Sequence, residues 1–129
     1  IVDEFLPYIA PTKQSYYLEL LDEPDISYTK EQDFLLENGL EYLKLGELDR
    51  SMEIFSKLLD STNDKCYVAS YNLGVIKESL GEYENAKELY NLSDKLTLKP
   101  NKTVIEAITR IKQRIEERNR LNNQIEAEK

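Results

Sequence analysis

The sequence predicts an all-α fold: two stacked helical hairpins, a C-terminal capping helix, and an extended or short-strand N-terminal arm. Three observations carry this reading. Two stretches echo each other 35 residues apart, Gly39, Leu45, Gly46, Glu47 and Glu53 recurring as Gly74, Leu80, Gly81, Glu82 and Glu88. Apolar residues recur at helical spacing through most of the chain after Thr29. Capping and stop signals divide that region into helix-sized pieces. A fixed period of roughly 20–50 residues marks a stacked repeat architecture.

The first 28 residues have a different character and read as an extended arm or a linker from a missing domain. Pro7, Pro11 and Pro24 interrupt any long helix. Ser15 to Leu21 reads as a short strand with Tyr16, Leu18 and Leu20 on one side. A lone strand is unstable in water, so it must pack on the repeats or on a neighbour.

Residues 29–129 read as one helical domain, with repeats over about 32–66 and 67–100. Thr29 and Gln32 fit a capping box that starts a helix running to about Lys44. Gly46 permits the left-handed turn that ends it. A second helix covers about Glu47 to Asp60, with Leu48, Met52, Phe55, Leu58 and Leu59 on its apolar stripe. Ser61 to Asp64 is a linker. A third helix is expected from about Asp64 to Ser79, and a fourth from Gly81 to about Leu98. Lys99-Pro100-Asn101 stops and restarts the chain, and Thr103 with Glu106 reads as a capping box. The capping helix, over about 102–125, carries Val104, Ile108, Ile111 and Ile115. Beyond Ile115 its stripe thins to Leu121 and Ile125, so the tail is expected to project or fray.

The paired hairpins resemble the tetratricopeptide repeat, whose pattern is W-x2-L-G-x2-Y, then A-x3-F, then P. The second unit reads Ser70-x2-Leu73-Gly74-x2-Lys77, Ala86-x3-Tyr90 and a late Pro100. The first reads Leu35-x2-Asn38-Gly39-x2-Tyr42 and Ser51-x3-Phe55, without the proline. The resemblance covers about Glu31 to Pro100. It departs at Ser70 and Lys77, where the family has aromatics, so the second hairpin should lean on its neighbours. Two repeats are also short of the three usually needed, which gives the final helix a capping role. A fainter resemblance is to the C-terminal part of bacterial envelope lipoproteins that carry such repeats.

The resemblance implies a concave groove lined by the first helix of each hairpin. By register, its candidates are Leu36, Leu40 and Leu43 in the first unit and Tyr71, Asn72, Val75 and Ser79 in the second. Asn72 is all that is left of the Lys, Arg and Asn set that one subgroup uses to grip C-terminal carboxylates, so that mode is not expected. The three leucines would make an exposed stripe of a kind monomers avoid. Three coverings are open: the arm around Tyr16 to Leu21, a shared core contact, or a partner peptide or second copy of the chain.

Composition narrows the function. The net charge of −8 argues against nucleic acid. The charge is uneven, since residues 101–129 hold seven basic and five acidic residues. That pattern suits a solvated helix face. No apolar run is long enough to span a membrane. The chain opens at Ile1 and reads as an excerpt or processed form of a longer protein, in the bacterial envelope or the cytoplasm.

Catalysis is not expected. With no histidine, the chain can form neither a Ser–His nor a Cys–His pair. Cys66, the only cysteine, is expected to pack as a small apolar residue. Asp60-x-Thr62-x-Asp64 opens like a calcium loop, but Lys65 and Tyr71 stand where that loop needs Gly and Glu. No cofactor or metal is expected. The sequence therefore points to a non-catalytic protein–protein interaction or assembly module. The alternative is a structural accessory domain of a larger, lipid-anchored envelope protein.

Overall fold

Each helix begins and ends where local chemistry permits. The computed structural model describes residues 4–9, 15–23 and 26–128, with side chains from Leu18 onward. The order is β1 (Glu4–Ile9), β2 (Ser15–Leu20), α1 (Lys30–Lys44), α2 (Leu48–Ser61), α3 (Tyr67–Ser79), α4 (Tyr83–Leu96) and α5 (Lys102–Ala127).

The α1 start is the capping box read from the sequence. Thr29 Oγ1 accepts from the Gln32 amide at 3.1 Å, and Gln32 Oε1 accepts from the Thr29 amide at 3.0 Å. The two hairpin turns are copies of one another. Glu47 N donates to Tyr42 O and Gly46 N to Leu43 O; Glu82 N donates to Lys77 O and Gly81 N to Glu78 O. This is a Schellman closure with glycine in the left-handed region, at φ +78° for Gly46 and +80° for Gly81.

One helix start and one cap differ from expectation. α3 begins at Tyr67 because Asn63 and Asp64 take φ of 55° and 61°, residue types that tolerate the left-handed region. Cys66 then caps the helix, its Sγ accepting from Ala69 N at 3.4 Å. α5 is capped by Asn101, whose Oδ1 accepts from Val104 N at 3.1 Å. Thr103, the expected cap, instead hydrogen-bonds through Oγ1 to Glu19 Oε1 at 3.3 Å.

Successive helices pack in chain order, α1 on α2, α2 on α3, α3 on α4 and α4 on α5. Within each hairpin a glycine meets an aromatic ring. A Cβ at Gly39 would lie 2.8 Å from Phe55 Cζ, and one at Gly74 would lie 2.6 Å from Tyr90 Cε1. Small partners flank these approaches: Ser51 Oγ donates to Gly39 O at 2.7 Å, and Ala86 is buried. α3 is central, and Val68 through Ile76 are all buried. A helix buried on so many sides needs apolar or hydrogen-bonded residues all round.

β1 and β2 form an antiparallel hairpin with Leu6 opposite Leu18. It packs on α1 and α3. Leu18 and Leu20 alternate onto one face of β2 and join the same core as the helices. The side chain of Tyr16, expected on that face, lies outside the described residues, as do Pro11 and Pro24. At the other end, α5 stays helical to Ala127, and residues 119–128 are exposed.

Gly74→Ala tests the central approach. Alanine gains about 1 kcal/mol of helix propensity, while overpacking costs about 1–3 kcal/mol. The expected result is a net loss of up to about 2 kcal/mol in urea unfolding, because the added Cβ would meet the Tyr90 ring. An unchanged or higher midpoint would mean that Tyr90 yields freely.

Candidate functional site

The face lined by α1 and α3 is where extended chain meets helix. Leu36, Leu40 and Leu43 are buried, in one core with Leu18, Leu20, Tyr71 and Val75. Asn72 is also buried, and its amide is bonded twice to one residue. Asn72 Nδ2 donates to Leu21 O at 2.8 Å, and its Oδ1 accepts from Leu21 N at 3.0 Å. From the preceding residue, Tyr71 Oη donates to Glu19 O at 2.6 Å. Ser79 is half-buried and donates to Val75 O within its own helix at 2.9 Å.

Residues 19 and 21 stand two apart, so their main-chain groups point to the same edge of the strand. Tyr71 and Asn72 thus complete the edge of β2 that β1 leaves open. The hold is on main chain, and each such hydrogen bond contributes about 0.5–1.5 kcal/mol. The side-chain contribution comes from Leu18 and Leu20, which enter the core.

A second constellation was not legible as a site in the sequence. Glu78 is fully buried, yet it carries a carboxylate. Arg110 Nε and Nη2 donate to its two oxygens at 2.8 and 2.9 Å. Arg114 Nε donates to Oε2 at 2.9 Å, and Tyr90 Oη donates to Oε1 at 2.8 Å. Bidentate, charge-assisted bonds of this kind are the strong class. In the first repeat the matching positions are Leu43 and Phe55, an apolar pair. The two polar replacements occur together, and that comparison, with Arg110, Arg114 and Arg118 spaced by four on α5, was the available signal.

The electrostatics follow from burial. Burial pushes the Tyr71 phenol well above its usual 10.0, and it raises Tyr90 in the same direction with Glu78 adding to it. For Arg110, burial works most strongly against the charge, but the Glu78 hydrogen bonds and the charges of Glu78, Tyr90 and Tyr71 together outweigh it and hold the guanidinium protonated. Further along α5, Arg118 hydrogen-bonds Glu84 on the surface and lies over the Tyr83 ring at 5.8 Å. That hydrogen bond draws the Glu84 carboxyl down to about 2.

Among the described residues no cluster of three or more His, Cys, Asp or Glu could hold a metal ion. Cys66 is buried, with Tyr28 Oη at 2.8 Å from its Sγ. Among the described residues no helix is long and apolar enough to cross a membrane.

Stacked helical hairpins with a glycine–aromatic seam define a helical-repeat protein. The family model for the tetratricopeptide repeat matches residues 67–100, which span α3, α4 and the following loop. The match supports a tetratricopeptide-type family, and such a repeat marks a protein–protein interaction module in general, typically non-enzymatic. No curated protein matches the chain.

Two outcomes test the buried network. Glu78→Gln removes the carboxylate charge that Arg110 and Arg114 share, and should cost about 3–5 kcal/mol. Hydrogen exchange should then rise first along α5; an unaffected α5 would show that its docking does not depend on Glu78. The second outcome concerns alkali. Raised phenol values in the fold give stability that is whole below pH 10 and falls as pH rises from there through the folded values. The urea midpoint should begin to drop near pH 10, the free phenol's value, and keep falling as the pH rises further. Tyr71→Phe with Tyr90→Phe should flatten that slope.

Proposed function

We propose that the chain is a non-catalytic interaction and assembly module whose inner face grips an extended segment. Leu36, Leu40, Leu43, Tyr71, Asn72, Val75 and Ser79 form the gripping surface in this reading. The supporting observation is the double hydrogen bond between the Asn72 amide and the main chain of Leu21. Recognition through main chain is tolerant of sequence, so an extended partner peptide of similar apolar spacing can compete for the same place. In this chain β2 is the occupant.

The alternative is a structural accessory domain of a larger, lipid-anchored bacterial envelope protein, in which the hairpin never leaves. The burial of Leu18 and Leu20 favours it. A permanently filled inner face would fix the orientation of whatever precedes β1.

One experiment separates the readings. Leu18→Glu weakens the hairpin's anchor and leaves Tyr71 and Asn72 intact. A labelled peptide covering residues 15–23 should then bind the variant in trans by fluorescence anisotropy. Adding Asn72→Ala should weaken that binding at least about tenfold, the loss of two hydrogen bonds. A Leu18→Glu variant that loses stability and captures no peptide would leave the structural reading standing.

A further inference from the structure

Away from the inner face, the loops before α3 and before α5 enclose an open cavity of about 670 Å³. Its walls are apolar: Ile26, Leu96, Leu98 and Pro100. Leu98 is fully exposed and Ile26 is 42 % exposed. Lys65 and Lys99, both exposed, line the same cavity. Neither makes an ion pair among the described residues. No carboxylate of the described residues lines it, although the chain as a whole carries −8.

The arrangement is amphipathic in a specific sense. Aliphatic walls offer burial for a chain of methylenes, at about 0.8 kcal/mol for each one removed from water. The two lysines offer charge to a headgroup at the rim. Asn101, the cap of α5, also lines the cavity, so the positive end of that helix faces the same space. An anion alone would leave the aliphatic walls wet, and a neutral hydrocarbon would leave the lysines unanswered.

We infer that this cavity binds a single anionic amphiphile, a medium- or long-chain carboxylate, with the chain against Leu96, Leu98 and Ile26 and the carboxylate at Lys65 and Lys99. The site lies beside the strand-gripping face and shares Tyr67 and Asn101 with the hollow under the end of β2.

The test is a titration of the full chain with monomeric sodium decanoate, followed by amide chemical shifts. The shifts should concentrate at Lys65, Tyr67, Leu98, Lys99 and Asn101. Decanol, which has the chain without the charge, and acetate, which has the charge without the chain, should each bind at least about tenfold more weakly. Lys65→Glu with Lys99→Glu should weaken decanoate at least about tenfold while the circular dichroism spectrum is unchanged. Leu98→Ser, at an exposed position that cannot disturb the core, should weaken it as well. Equal binding of decanol, insensitivity to the lysine reversal, or shifts centred elsewhere would overturn the assignment. Binding to anionic phosphatidylglycerol vesicles with no response to monomeric decanoate would also overturn it, and would mark the patch as a contact for a lipid surface.

Discussion

The structure hangs on the approach of Tyr90 to Gly74. Because Gly74 has no side chain, the tyrosine ring lies directly on α3, with its centroid 5.4 Å from that of Tyr71. From there its hydroxyl reaches Glu78, one turn further along the same helix. Glu78 in turn holds Arg110 and Arg114, and so holds α5. Tyr71, packed against that ring, and its neighbour Asn72 hold the strand. One missing side chain therefore sets a ring that touches both the cap's anchor, Glu78, and the hairpin's anchor, Tyr71.

The two repeats solve the same packing problem with different chemistry. In the first, Leu43 and Phe55 are both buried and nothing polar is left to satisfy. In the second, Glu78 and Tyr90 occupy the matching places, and the charge is answered by α5. A buried ion pair is weak support for stability, since removing the charges from water offsets much of the attraction. Its use lies in specificity: an apolar contact lets a helix slide, whereas a carboxylate held by two guanidiniums accepts α5 in one register. The same register sets Arg118 beside Tyr83 and Glu84.

The inner face and the cavity at the loops differ in what they ask of an occupant. The inner face satisfies main-chain groups and buries alternate leucines, which defines an extended peptide. The loop cavity has aliphatic walls and a cationic rim, which defines a charged head on an apolar chain. They lie on either side of Tyr67 and Val68 at the start of α3, where the two loops and the end of β2 converge.

What the sequence determined by itself was local or periodic. The capping box at Thr29 and Gln32 involves residues three apart, and the turns at Gly46 and Gly81 need only a residue that tolerates positive φ. The glycine–aromatic seam was legible because it occurs twice in one register. α3 starts three residues beyond the expected Asp64, and Asn101 takes the place of Thr103 as the cap of α5, because several polar residues nearby compete for the same free amides. Tertiary structure alone decided what Asn72 and Glu78 hold. Leu21 is 51 positions from Asn72, and Arg110 is 32 from Glu78, so no local pattern records either pairing. A buried carboxylate and an exposed one look alike in a sequence, and only the packing of α3, α4 and α5 makes Glu78 the former.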